Sequence, residues 1–128
     1  MNENKRYTFH IENKKEEYLI YTGTNKFVIT LTIRNNCEYT YPKETEIKCD
    51  KDSNIKPKNE LIIKNLKPNE TDEITICYEN LKYFPPGIFN SFFNFKINGE
   101  KIGITIVLKL KFLDNKNFEL VGQFRKIF

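Results

Sequence analysis

Apolar and polar residues alternate with a period of two along much of this chain, most plainly at Phe27–Arg34. Phe27, Ile29, Leu31 and Ile33 take every second position, with Val28, Thr30, Thr32 and Arg34 between them. That is the pattern of a strand with one face in a core. Asn35-Asn36 then breaks the run, and asparagine, which tolerates positive φ and bonds nearby backbone, lets the chain reverse. Tyr41-Pro42 follows, where proline confines the next strand to an edge or an entry position. The other elements read as strands that pair with or pack on this one.

Before it, Tyr7, Phe9 and Ile11 alternate with Thr8, His10 and Glu12 as a first short strand, and Tyr18 to Tyr21 forms a brief second one. Gly23-Thr24-Asn25 turns the chain into Phe27. After Pro42, Ile47 and Cys49 share a face of a weakly alternating stretch, and DKDSNIKPKN, residues 50 to 59, reads as an exposed loop. Leu61 to Leu66 predicts a strand, Lys67-Pro68-Asn69-Glu70 a turn, and Ile74, Ile76 and Tyr78 the core face of a further strand. LKYFPPG, residues 81 to 87, cannot be regular, because two successive prolines remove two ladder donors. Ile88 to Ile97 and Ile102 to Phe112 are joined through Asn98-Gly99, the dipeptide that best suits a two-residue hairpin turn. In the second arm Ile102, Ile104, Ile106, Leu108, Leu110 and Phe112 are expected on one face and Lys109 and Lys111 on the other. Phe118 to Phe124 adds a possible last edge strand. These are eight or nine short strands at the spacing of a two-sheet sandwich.

Composition strengthens this all-β reading: there is no alanine or tryptophan, while Ile, Phe, Thr and Tyr are plentiful. A chain of 128 residues fits a single domain, here with its core over about 7–112 and a C-terminal extension over 113–128. The net charge of +4 rests almost wholly on lysine, with arginine only at 6, 34 and 125. Scarce arginine and interspersed acids argue against a nucleic-acid face. MNENKRYTFH lacks the apolar stretch of a signal peptide and no apolar run approaches a membrane span, so a cytoplasmic protein without membrane association is expected. Cys37, Cys49 and Cys77 are odd in number and too dispersed for a zinc knuckle. They are expected to be free thiols, with no metal, disulfide or cofactor. Asn69-Glu70-Thr71 matches a glycosylation acceptor, which has no use without a secretory route.

Two segments, FVITLTIRNNCEYTYP and PPGIFNSFFNFKINGEKIGITIVLKLK, resemble the four-tryptophan domain of selective-autophagy cargo receptors. That family shows an aromatic-led strand ending in Arg or Lys then Asn, a turn, a Trp before a small residue or Pro, and later a Pro-Gly-aromatic entry, a Trp strand, a Gly hairpin and a closing strand. The family's tryptophans correspond to Leu31, Tyr41, Phe93 and Val107, none of which is Trp here. The resemblance implies an immunoglobulin-like β-sandwich that binds another protein, cargo or scaffold, and performs no chemistry.

Catalysis has little to work with, since His10 is the only histidine, no nucleophile elbow occurs and no carboxylate pair is set in apolar surroundings. Asp50 and Asp52 lack the glycine and closing glutamate of a calcium loop. The aromatic run YFPPGIFNSFFNF, residues 83 to 95, is the candidate contact surface: consecutive aromatics such as Phe92 and Phe93 must point to opposite faces of a strand. The expected partner-binding residues are Phe84, Pro85, Pro86, Ile88, Phe89 and Phe92, placed at the sandwich rim by the prolines. The competing possibility is that Phe84 and Phe89 plug the end of the core. Of three aromatic-x-x-aliphatic matches to autophagy-modifier motifs, at 78–81, 118–121 and 124–127, FRKI at 124–127 has basic residues where acids are preferred and only FELV at 118–121 is worth keeping, with an edge strand the preferred reading of it because the segment alternates and follows a turn. A structural subunit of a cytoskeletal or ciliary assembly and a nucleic-acid-binding domain are the rival functions.

Overall fold

The computed structural model describes residues 6–114. It contains eight strands and, among the described residues, no helix: β1 His10–Ile11, β2 Tyr18–Tyr21, β3 Phe27–Arg34, β4 Thr45–Cys49, β5 Leu61–Ile62, β6 Thr71–Tyr78, β7 Gly87–Ile97 and β8 Glu100–Leu113. They form two sheets, ordered β1-β3-β6 and β2-β8-β7-β4-β5. The N-terminal segment serves both. β1 pairs antiparallel with β3, and β2 then crosses to pair parallel with the end of β8, Tyr18 opposite Leu110 and Tyr21 opposite Leu113. The protein is an immunoglobulin-like β-sandwich.

The alternation read from the sequence fills the core. Ile29, Leu31 and Ile33 of β3 and Ile74, Ile76 and Tyr78 of β6 face Phe93, Phe95 and Ile97 of β7 and Leu108, Leu110 and Phe112 of β8, all buried. Asn98 and Gly99 both have positive φ, 52° and 82°, and Ile97 lies opposite Glu100, so the hairpin closes in two residues as its dipeptide requires. Tyr78 donates to Ser91 Oγ at 2.8 Å and Ser91 donates in turn to the Ile55 carbonyl at 2.6 Å, which satisfies the polar groups of an otherwise apolar interior. Burial pushes the Tyr41 and Tyr78 phenols well above the ordinary tyrosine range, so both stay neutral donors.

The turn after β3 is built on Asn35, which is fully buried. Its Nδ2 donates to the Tyr39 and Leu66 carbonyls, both at 2.8 Å, and its Oδ1 accepts from Cys37 N at 3.0 Å and from the Cys37 thiol. Its main chain bonds Glu70 O and Asn69 N. One side chain therefore ties the 35–41 turn to the 66–70 turn.

Four expectations change. Ile104 does not share the inward face of β8: Phe93 pairs with Ile106 but Phe95 with Ile102, so three residues of β8 stand opposite Asn94 alone. This bulge places Gly103 at φ 70° and leaves Ile104 83% exposed. The strand expected over Leu61 to Leu66 is regular only at Leu61–Ile62: the Ile63 amide still bonds Thr45 O in the β4 register, but the Leu66 carbonyl turns away to Asn35 and Tyr41. The first strand shortens to His10–Ile11: before it the Thr8 carbonyl accepts from the Tyr41 hydroxyl instead of a ladder partner, and beyond Glu12 the Asn13 side chain continues the pairing, accepting from Thr32 N and donating to Thr30 O. The 50–59 loop is anchored rather than freely exposed, with Ile55 buried and the Asp50 and Asn54 amides donating to Phe92 O and Asn90 O along the β7 edge. The possible strand at Phe118 to Phe124, and FELV with it, lie outside the described residues.

Replacing Asn35 with Leu keeps a similar volume but removes a donor from the Tyr39 and Leu66 carbonyls and leaves the Cys37 amide without its partner, and should cost about 2 kcal/mol or more in denaturant unfolding. Gly99→Val meets no atom within 4 Å, yet forces a β-branched residue to positive φ, and should cost about 1 kcal/mol or more in the same assay. Wild-type stability of either variant would show that its turn does not depend on the residue named.

Candidate functional site

The six candidate contact residues separate into two groups. Phe84 N donates to Leu81 O in a turn that folds the loop back over the sandwich end. This sets Phe84 stacked against Phe112 at 5.2 Å between centroids and edge-on to Phe89 at 5.0 Å, while Phe89 meets Phe112 at 5.5 Å. Phe84 and Phe89 thus plug the end of the core. Pro85, Pro86 and Ile88 are exposed, and Phe92 is half-buried on the outer face of the five-stranded sheet while its neighbour Phe93 is buried inside.

That outer face carries an apolar row that the sequence reading missed. Leu19 of β2 lies opposite Lys111 of β8, which lies opposite Ile88 of β7, so two aliphatic side chains flank one lysine stem. Leu19 is 54% and Ile88 51% exposed. Lys109, opposite Asn90, and Val107, opposite Phe92, continue the surface. Farther along, Thr105 donates to Asn94 Oδ1 at 3.0 Å, and the Asn94 amide reaches Asp50 Oδ2 at 3.5 Å. The Asp52 N–H bond to Asp50 holds that carboxyl below its ordinary value, so Asp50 stays ionised beside Lys51 and Lys101. The parallel register of β2 on β8 is what brings Leu19 here, and alternation within one segment does not reveal it.

His10 is exposed on β1 opposite Arg34, remote in the ladder from the Leu19–Ile88 row. Among the described residues no three His, Cys, Asp or Glu side chains are grouped as metal ligands. Cys37, Cys49 and Cys77 are half-buried free thiols. Of the four positions aligned with tryptophans, Leu31, Tyr41 and Phe93 are core and only Val107 reaches the outer face. The motif match at 78–81 begins on fully buried Tyr78 and ends on buried Leu81, so it offers no surface.

No protein-family model matches the chain, and no curated protein is similar to it in sequence. Solved structures do match in shape. The crystal structure of the SrpA adhesin from Streptococcus sanguinis superposes with a TM-score of 0.52 at 10% identity, and a mutant of it with 0.53 at 11%. The matches cover 91% of this chain, which spans about three-fifths of the adhesin chains, 61% and 60%. At such identity the likeness is one of fold.

Phe84→Ser should lower the melting temperature by several degrees, in line with about 2 kcal/mol for removing a partly buried ring from a packed trio. Ile88→Ser should leave it within about a degree, since a half-exposed residue away from the core changes stability by no more than about 0.5 kcal/mol. Equal losses in thermal unfolding would mean that Ile88 is also a core residue.

Proposed function

We propose that this chain is a non-enzymatic protein-interaction module, acting in the cytosol and related in kind to the four-tryptophan domain it resembles. The observation that carries the proposal is the Leu19–Lys111–Ile88 row beside the exposed Pro85-Pro86 rim. Side chains on paired strands and a proline-stiffened loop lose little entropy on binding, and apolar residues at the centre of such a surface supply most of the energy of a protein interface. Lys109 and Lys111 favour a partner with acidic residues around an apolar centre. Of the six contact residues expected from the sequence, Pro85, Pro86, Ile88 and Phe92 belong to this surface, while Phe84 and Phe89 support it from beneath. Tyr83, 86% exposed with the Lys82 ammonium 5.4 Å above its ring, extends the rim.

The test is a pull-down with mass spectrometry from the native source, comparing wild type with a Leu19→Ser, Ile88→Ser double variant. Proteins retained by wild type should be lost from the double variant while its melting temperature is unchanged. Retention of the same partners by both would remove this surface from consideration. Recovery with a filament fraction would favour a structural subunit, and a nuclease-sensitive association that falls steeply with salt would favour nucleic acid.

A further inference from the structure

β8 is the longest strand of the molecule, and β7 pairs with most of its length on one side. On its other side β2 pairs only with Leu110–Leu113. Among the described residues, no strand pairs with Thr105–Lys109 on that side. Facing this free edge across the sandwich opening is β1, and between them lies a groove of about 580 Å³. Phe9, Ile11, Ile104, Ile106 and Val107 make its wall largely apolar, and its charged or titratable lining is Lys14 and His10, with no carboxylate. Phe9 forms the floor. Its ring stacks on Phe95 at 4.4 Å, and a Cβ on Gly103 would come within 3.1 Å of it.

Sheet proteins ordinarily guard a free edge with lysines, bulges or short strands. Here the Gly103–Thr105 bulge guards one end of the free stretch and Lys109 the other, leaving Thr105 to Leu108 open between them. The open stretch from Thr105 to Lys109 is about 17 Å long, the length of an ordinary strand. β2 shows that this same edge accepts a further strand.

We infer that the free edge of β8 takes up an extended segment of a partner protein as an added strand, one with apolar residues at every second position and acidic residues between them. In such a strand alternate side chains point to opposite faces. The apolar set enters the groove against Phe9, Ile11 and Ile106, and the acidic set meets Lys109 and Lys101 on the outer face, while main-chain hydrogen bonds supply affinity without regard to sequence. A second copy of this chain is a poorer occupant, because antiparallel pairing of two Thr105–Lys109 edges sets Lys109 opposite Thr105 and brings no carboxylate to the lysine of either copy. The two surfaces share Lys109, but the groove at Phe9, Ile11 and Ile104 lies apart from Leu19 and Ile88, so substitutions at Ile104 and Ile88 tell them apart.

The experiment pans a display library of random ten-residue peptides against the full chain and measures a synthetic copy of the most enriched one by fluorescence anisotropy. The enriched peptides should alternate apolar residues with Asp or Glu. Methylating alternate main-chain nitrogens of the synthetic peptide should weaken binding at least tenfold, and peptide binding should slow amide exchange over Thr105–Lys109. Ile104→Lys, at a side chain 83% exposed, should also cost at least tenfold, while Ile88→Ser should have no effect. Should Ile104→Lys melt lower than wild type, His10→Glu on the opposite lip takes its place, since a carboxylate in the groove lining disfavours the apolar side chains that enter there. Three results would overturn the inference: no enrichment above that on the Ile104→Lys chain, binding that survives methylation, or a concentration-dependent dimer that protects the same amides.

Discussion

Burying an amide side chain is costly unless all its hydrogen-bonding capacity is met, and Asn35 meets it: two donors and an acceptor used twice, at zero exposure. Much of the sandwich is referred to this point. The Leu66 carbonyl that Asn35 holds also accepts from Tyr41 N at 2.9 Å, which fixes Tyr41 under the N-terminal segment. The Tyr41 hydroxyl donates to Thr8 O at 2.5 Å, and its ring meets Phe95 edge-on at 5.4 Å. Phe9, one residue on from Thr8, then stacks on the opposite face of the fold. A single saturated amide thus positions the floor of the groove beside β8.

Asparagine recurs where the sheets need closing. Asn13 accepts from Thr32 N and donates to Thr30 O on the β1 side of the three-stranded sheet. Asn59 does the same at its other edge, accepting from Cys77 N at 2.9 Å and donating to Thr75 O at 2.7 Å. An Asn side chain offers the same donor and acceptor as a peptide unit, so each caps an edge of the ladder without adding another strand. The three-stranded sheet is closed on both sides by this means. The five-stranded sheet has no equivalent along Thr105–Lys109, and that asymmetry singles out β8 as the open edge.

The period-two pattern made the strands, the fold class and the hairpin at Asn98-Gly99 legible, because each rests on local chemistry: alternation, proline and the positive φ of one dipeptide. Ile104 was misplaced because alternation carries no record of a bulge. Gly103 within an apolar run was the available signal, since glycine inside a strand marks such a site. The shortened strands at His10 and Leu61 share a different cause. Their flanking backbone groups are claimed by Tyr41 and Asn35, which are distant in sequence and invisible to a window of neighbours. The rim residues illustrate the same limit, for proline put Phe84 outside regular structure but could not say that the Leu81 turn would send its ring back onto Phe112.

The largest buried side chains bear on what kind of surface this fold can keep. Leu31, Tyr41 and Phe93 are at most 1% exposed, so a change of residue there alters packing and never meets a partner directly. Around Tyr41 the core is filled by aromatic rings, with Phe95 edge-on to it, Phe9 stacked on Phe95 and the Tyr7 ring 6.4 Å away. Tyr7 and Phe9 belong to the N-terminal segment, so the aromatic mass of the core is shared with a piece of chain that crosses between the sheets. Drawing Phe9 inward requires a residue without a side chain across from it, which Gly103 supplies, and the backbone that glycine permits is the bulge that leaves Ile104 outside. The packing of the core and the shape of the open β8 edge are therefore one problem solved together, and a substitution at Phe9 would disturb both.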